Sequence, residues 1–265
     1  WLYSNRDSAR LHLLAAQVVR ARPEAVLTHL PQTTRALAQL TTKIPIVAHV
    51  SDLVMEGYSM DGVMPSRNVT GTSDLWAERV TKLLEALKSI FPRLSRFGIV
   101  AGTRDPGIAD FVALAERLSH LVGIEPHTFI VSSRVEIGEA FAAMPGKGLR
   151  AATTLDLWHL MPGRQQDELA IKHGIALAGR AIGGGDGGEL LHIAADFENP
   201  DPSLYHSPVR RQIAQLDKIL RGVPVKDIPF EFPRRLRLTI DLKTAAALGL
   251  RIPQEVLLRA DRIIQ

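Results

Sequence analysis

Apolar and polar residues alternate along this chain in two different rhythms. Longer stretches carry apolar side chains three or four positions apart, as at Leu11, Leu14 and Val18, which indicates amphipathic helices. Between them lie short, mostly apolar runs that are typical of buried strands. The pattern predicts helices over 8–22, 31–40, 73–90, 107–121, 135–144, 164–173, 208–220, 242–248 and 254–264, and strands over 25–28, 44–50, 97–101, 128–132, 149–154, 175–178, 190–194 and 237–240.

Strands that alternate with helices predict an α/β protein with parallel sheets covered on both faces. The chain has 265 residues, and one domain usually takes roughly 100–200, so two lobes are expected. The first predicted element is a helix. The sheet that starts at residue 25 is therefore expected to lack the strand that would normally precede it.

The amino-acid composition excludes several classes of protein. Hydrophobic residues make up 46% and charged residues 23% of the chain, as in ordinary globular proteins. No apolar run approaches the roughly 18 residues of a membrane span, and Trp1 leads into a polar stretch unlike a signal peptide. The chain has no cysteine, which excludes disulfides, thiolate nucleophiles and cysteine-ligated zinc.

The formal net charge is +4, and the excess falls in residues 232–265, which hold seven basic and three acidic side chains. A nucleic-acid surface is conceivable there. We favour the simpler interpretation that these side chains form the solvated face of terminal elements, and no nucleic-acid partner is predicted.

The motifs in the sequence do not indicate catalysis. Gly183, Gly185 and Gly188 match the dinucleotide-binding spacing, but a strand-like segment follows instead of a helix, which indicates a flexible turn. The nine histidines show no metal-binding spacing, and neither a P-loop nor a nucleophile elbow is present. We therefore predict no catalytic residue, no metal and no cofactor. The triplet at 68–70 matches a glycosylation sequon, a weak signal.

Polar residues follow the predicted strands, at the edge where open α/β sheets bind ligands. Free amides at the helix starts near Thr33 and Thr103 would hold a carboxylate. Trp158 could stack on an apolar part of a solute, and Asp52 or Asp156 could receive an amine. For each residue alone, helix capping or loop solvation is the favoured interpretation, and only the cluster as a whole indicates a ligand site. The predicted ligand-binding residues are Thr28, His29, Gln32, Thr33, Ser51, Asp52, Thr103, Arg104, Asp105, Asp156, Trp158, Arg180 and Asp196, with Arg180 as a partner for a second carboxylate.

Several segments resemble one family across nearly the whole chain. They are Ile44-Pro45-Ile46-Val47, the Asn-Val-Thr-Gly of 68–71, the segment 238–250 and Ile252-Pro253 with the residues after it. These segments are similar to the ABC-transporter substrate-binding proteins of the tryptophan/tyrosine-type group. The similarity is most specific in the last third and looser between 104 and 195.

The resemblance implies the type I periplasmic binding fold, in which two Rossmann-like lobes are joined by a hinge of three crossovers. The crossovers would fall near 95–97, 187–196 and 230–238. Lobe I would comprise 1–95 with 190–231, without its first strand, and lobe II would comprise 96–189 with 232–265.

The resemblance also implies a function. The chain would be a monomeric, non-enzymatic solute-binding component of an ABC importer, periplasmic or anchored outside the cytoplasmic membrane, that captures a small polar solute between two closing lobes. An amino acid or related carboxylate is the expected solute, and the membrane permease is the expected partner. Two alternatives stay open: the effector domain of a sugar-type transcription regulator, although no helix-turn-helix is present, and a Rossmann-type enzyme, although the acid, base and nucleophile are lacking.

Overall fold

The structure of the chain, a computed structural model, describes residues 8–103, 107–179, 188–197 and 207–265. Helices and strands alternate along the described chain. The helices are α1 (Ser8–Arg20), α2 (Pro31–Leu40), α3 (Trp76–Ile90), α4 (Ile108–Leu121), α5 (Arg134–Ala143), α6 (Gly163–Lys172), α7 (Ser207–Leu220), α8 (Leu242–Ala247) and α9 (Gln254–Leu258). The strands are β1 (Val26–Thr28), β2 (Ile46–Val50), β3 (Val69–Ser73), β4 (Arg96–Gly102), β5 (Glu125–Val131), β6 (Ala151–Leu155), β7 (Ala176–Leu177), β8 (Leu191–Asp196), β9 (Arg235–Asp241) and β10 (Arg262–Ile264).

The chain folds into two compact units, each assembled from two separate stretches. The first unit consists of Trp1–Trp76 and Ala195–Arg235, and the second of Ala77–Ala194 and Leu236–Gln265. The chain therefore passes between the units at the start of α3, within β8 and at the start of β9. The predicted lobe boundaries stay a prediction, because lobes are defined by closure on a solute and these units by internal packing.

The first unit is built on a parallel sheet of β1, β2 and β3, in that order. Helices α1 and α2 pack on one face, in a core that includes Leu37 and Ile46. On the other face Val47 packs against Ile219 of α7. Alternate side chains of β2 thus enter two different cores, which explains why this strand is apolar at every position except His49.

The second unit contains a parallel sheet in the order β5, β4, β6 and β7. An isolated bridge between Ala178 and Leu191 links β7 to a further sheet of β8, β9 and β10. The core gathers around the fully buried side chains of Ile137, Phe141 and Met144. These sheets confirm the predicted α/β class.

The end of the chain differs from the prediction. A helix was expected over 254–264, whereas α9 ends at Leu258 and Arg262–Ile264 form β10. The cause is Asp261, whose backbone amide donates to Leu238 O while its Oδ2 accepts from the Leu238 amide, both near 2.9 Å. These two bonds align the chain with β9, so that Ile263 pairs with Ile240 in a parallel register.

Strand β3 was not predicted, because its sequence Val-Thr-Gly-Thr-Ser is polar enough to suggest a loop. Every one of its five residues is buried, and their hydroxyl groups find partners inside the unit, as Thr70 Oγ1 does by donating to Ile228 O at 2.7 Å. The helix that was expected to begin at residue 73 therefore begins at Trp76 instead.

Candidate functional site

The carboxyl ends of β1, β2 and β3 meet at one edge of the first unit, because the strands are parallel and paired in register. Thr28 closes β1, His49 is the penultimate residue of β2, and Ser73 closes β3. The residues that follow these strands therefore come together. This is the edge at which open α/β sheets bind their ligands.

Two histidines stack at this edge. The ring centroids of His29 and His49 lie 5.3 Å apart, with the ring planes inclined by 19°. His49 Nδ1 is 2.9 Å from Thr72 Oγ1, and His49 Nε2 is 3.2 Å from Asp74 Oδ1. With both nitrogens engaged, the His49 ring is held in one orientation and presents its flat face to His29. We call His29, His49, Thr72 and Asp74 the histidine cluster.

Phe197 and Arg211 extend the histidine cluster. Phe197, which follows β8, packs edge-on against His49 with the centroids 6.2 Å apart. The guanidinium carbon of Arg211 on α7 lies 5.9 Å from the centre of the Phe197 ring, and Arg211 Nη1 donates to Glu231 Oε2 at 2.8 Å. This edge thus combines aromatic rings, a guanidinium group and carboxylates. Such a combination suits a small solute with ionised groups and an apolar or aromatic part.

The start of α2 lies at the same edge. Thr28 Oγ1 is 2.6 Å from Thr34 Oγ1, and both side chains are buried, so Thr28 joins the end of β1 to α2. Leu30 occupies the N-cap and makes no side-chain capping bond. The predicted residues Gln32 and Thr33 belong to the first turn, where the Thr33 amide donates to Leu30 O at 3.0 Å.

Ser51 and Asp52 begin the loop after β2, and a residue that the sequence did not indicate, Glu56, holds this loop. Glu56 Oε1 accepts from the backbone amides of Ser51 and Asp52, at 2.8 and 3.2 Å. Burial raises the pKa of Glu56, against the lowering effect of these two bonds. Asp52 Oδ1 accepts from the amides of Val54 and Met55, so any contact with an amine must share this carboxylate with two backbone donors.

In the second unit, β4 and β6 pair in parallel and end beside each other. Thr103 follows β4, and Asp156 follows β6 with a φ of 52°, in the left-handed region. Gly102 makes this turn possible, because a β-carbon there would lie 2.5 Å from Asp156 O. Aspartate is among the residues that adopt this backbone conformation most readily, and the role of Asp156 in ligand binding stays a prediction.

Trp158 and His159 follow this strained turn. Trp158 is 40% exposed, whereas the side chain of His159 is only 4% accessible. The two rings meet edge to face with centroids 5.9 Å apart, and His159 Nδ1 is 3.6 Å from Asp156 Oδ1. His159 therefore supports the indole from the protein side and leaves part of Trp158 accessible to a solute.

Four predicted site residues remain. Arg104, Asp105 and Arg180 lie outside the described residues. Asp196, the last residue of β8, is 3.1 Å from Arg235 Nε through its Oδ2, and both residues belong to the first unit. Asp196 therefore has a partner within the protein, and its contact with a ligand stays a prediction.

The other motifs have structural explanations. Of the glycine motif, Gly183 and Gly185 lie outside the described residues. A β-carbon at Gly188 would lie 2.4 Å from Asp167 Oδ2, and the Gly188 amide donates to Asp241 Oδ2 at 2.9 Å. Close packing against these two carboxylates therefore accounts for glycine at position 188.

The sequon triplet is part of the fold of the first unit. Asn68 Nδ2 donates to the backbone oxygens of Thr41 and Ile44, at 3.2 and 2.6 Å, and Thr70 is fully buried. Asn68 thus ties β3 to the loop before β2.

Metal-binding clusters and membrane-spanning helices are both absent from residues 8–103, 107–179, 188–197 and 207–265. No group of three or more histidine, aspartate or glutamate side chains there is placed to hold a metal ion. No helix in those ranges is long and apolar enough to cross a bilayer.

Comparison with known proteins identifies the family. A model of the ABC transporter substrate binding protein family matches residues 2–158, more than half of the chain. Proteins of curated function yield no match.

Solved structures show the fold. A domain from Streptococcus pneumonia, in complex with L-Trp, is 20% identical, with a TM-score of 0.78 over 97% of this chain and 84% of that one. A conserved domain protein from Vibrio cholerae is 22% identical, with a TM-score of 0.79 over the same shares. A ligand-free substrate binding protein from Clostridium difficile is 19% identical, with a TM-score of 0.61 over 98% and 84%. The fold is that of type I periplasmic binding proteins, and the chain belongs to the ABC transporter substrate-binding protein family.

Proposed function

We propose that this chain is the solute-binding component of an ABC importer, and that its solute is an amino acid or a related small carboxylate. The observation that carries the solute class is the histidine cluster with Phe197 and Arg211, at the strand edge where this fold binds ligands. The L-Trp held by the Streptococcus relative supports the same class.

In this proposal the first unit supplies charge and one aromatic surface. Asp74 offers a carboxylate for an ammonium group, while Arg211 and the start of α2 offer donors for a carboxylate. The stacked rings of His29 and His49 offer a flat surface for a planar or apolar part.

The second unit supplies the other aromatic surface. Trp158 is accessible and supported by His159, and would stack on the solute, while Asp156, 3.6 Å from His159, would receive an amine. Thr103, together with Arg104 and Asp105, would complete this side at the start of α4.

No bond is made or broken in this mechanism. Binding of the solute would favour a closed form of the protein, and a membrane permease would recognise that form. The chain would act as a monomer outside the cytoplasm, without a nucleic-acid partner and without catalysis.

The test is a thermal-shift screen of the folded chain with the twenty common amino acids and a set of simple carboxylates, followed by isothermal titration of each hit. We expect at least one compound to raise Tm and to be recovered unchanged by mass spectrometry. Conversion of the compound would indicate an enzyme. A folded sample that responds to no compound in the screen would contradict the proposal.

A further inference from the structure

Two glutamines lie buried on the face of α7 that packs on the sheet of the first unit. Gln212 is 1% exposed and Gln215 is fully buried, and they stand one helical turn apart. Few polar side chains are buried so completely without a defined partner for each atom.

The orientation of the Gln215 amide is fixed by its neighbours. Its Nε2 donates to Gly71 O at 3.0 Å and to Pro229 O at 3.1 Å, which ties α7 to β3 and to the segment leading into β9. Its Oε1 faces the interior, and within the described ranges it has no hydrogen-bond partner. The same holds for Gln212 Nε2. One buried donor and one buried acceptor are thus left unsatisfied on the same helix face.

The chemistry of these two atoms restricts what can lie between them. Side chains at positions i and i+3 of a helix have β-carbons about 5–6 Å apart, a span that one small molecule can bridge with two hydrogen bonds. The molecule must accept from an amide N–H and donate to a carbonyl oxygen. A metal cation would be repelled by Nε2 and an anion by Oε1, so the molecule must be neutral.

We propose that a buried water molecule bridges Gln212 Nε2 and Gln215 Oε1. Water can accept one hydrogen bond while it donates another, and it fills small polar spaces in protein interiors. The bridge would extend the anchorage of α7, from the bonds of Gln215 to Gly71 and Pro229, up to the turn that carries Arg211. Arg211 would then be positioned toward Glu231 partly by this water.

A crystal structure of the complete chain at about 1.8 Å or better tests the proposal directly. We expect one well-ordered solvent peak within hydrogen-bond distance of both atoms. A direct protein partner for either atom, or an empty space between them, would overturn it.

The variant Gln212→Met gives a second, independent readout, since methionine has nearly the shape of glutamine but cannot donate. If water is bound, the variant loses the solvent peak and its Tm falls, by about 2–4 °C for a chain of this size. If Gln212 Nε2 is truly unsatisfied, removing it raises Tm, and the proposal fails.

Gln166→Met is the matched control. Gln166 is equally buried, but its Oε1 accepts from Thr154 Oγ1 at 2.8 Å and its Nε2 donates to Met161 O at 2.7 Å. This variant should lower Tm without removing any ordered water, which separates the loss of a protein bond from the loss of the bridge.

Discussion

Single residues at the strand edges show how a site can be assembled from unremarkable parts. His49 interrupts an otherwise apolar strand and is held between Thr72 and Asp74, which come from the neighbouring strand and its following turn. Neither partner is recognisable in the sequence, because 23 positions separate His49 from Thr72 and only the strand register brings them together. The sequence places both His29 and His49 near the ends of predicted strands at this edge, although only His29 was among the predicted site residues; Asp74, Phe197 and Arg211 were not indicated by the sequence.

The contribution of Trp158 can be measured once a solute is known. Replacing Trp158 with alanine removes a partly exposed indole, and we expect the Kd to rise about threefold to tenfold, the range of one aromatic contact. Titration calorimetry of the wild type, the alanine variant and Trp158→Phe measures this effect. The phenylalanine variant should retain most of the affinity. An alanine variant that binds as well as the wild type would remove Trp158 from the proposed site.

Glu56 should give the chain a distinctive dependence of stability on pH. Burial raises its pKa above the ordinary value of 4.5, so the folded state holds the proton more tightly than the unfolded state. Its contribution to stability is therefore favourable at low pH and is lost as pH rises through the raised pKa. In Glu56→Gln this loss is absent, while the amide oxygen can still accept from Ser51 and Asp52. Urea denaturation from pH 4.5 to 7.5 should show that the free energy of unfolding of the variant increases relative to that of the wild type as pH rises.

Glu136 provides a control of opposite sign. It is half-buried, and the bond it accepts from the Ser132 amide lowers its pKa, so its contribution to stability is present above the ordinary value of 4.5 and is lost as pH falls. The free energy of unfolding of Glu136→Gln should therefore decrease relative to that of the wild type as pH rises. If the two variants showed the same pH trend, the assignment of the Glu56 effect to burial would be wrong.

At the level of elements, β3 depends on the absence of a side chain at one position. Gly71 has a φ of 145°, and a β-carbon there would lie 1.8 Å from Ala48 O on the paired strand. We expect Gly71→Ala to destabilise the fold by about 3 kcal/mol or more, because both the backbone and the β2–β3 pairing must move. The free energy of unfolding in urea measures the change.

Gly138 in α5 offers the matched substitution. A β-carbon there would meet nothing within 4 Å, so Gly138→Ala should stabilise the fold by roughly 0.5–1 kcal/mol through helix propensity. Equal effects at positions 71 and 138 would contradict the steric argument.

The elements that were predicted correctly are those whose burial is visible in the sequence itself. Strands such as β2, with apolar residues on both faces, and helices with a Pro or Gly near their ends follow from periodicity. Two elements were missed because tertiary contacts decide them: β3 satisfies its hydroxyl groups inside the unit, and β10 is aligned by the bonds between Asp261 and Leu238. The same limit applies to the candidate site, since Phe197 packs against His49, and Arg211 against Phe197, from distant segments of the chain.

For the whole molecule, binding and stability should be linked. A solute that binds only the folded chain stabilises it by about 2.7 kcal/mol when present at 100 times its Kd. Calorimetry first measures the Kd of the best compound from the screen. In urea denaturation, the free energy of unfolding should then rise by this amount when the compound is present at 100 times that Kd. A much smaller shift would indicate that the compound also binds the unfolded chain or binds at another place.

The discontinuous composition of the two units has a practical consequence for anyone who wants to study them apart. Cutting once after Trp76 would release a fragment without α7, and Val47 would lose its packing partner Ile219. Such a fragment should aggregate on expression. A usable half-protein needs a redesigned gene in which a short linker fuses residue 76 directly to residue 195, so that the sheet and its covering helix are synthesised as one piece.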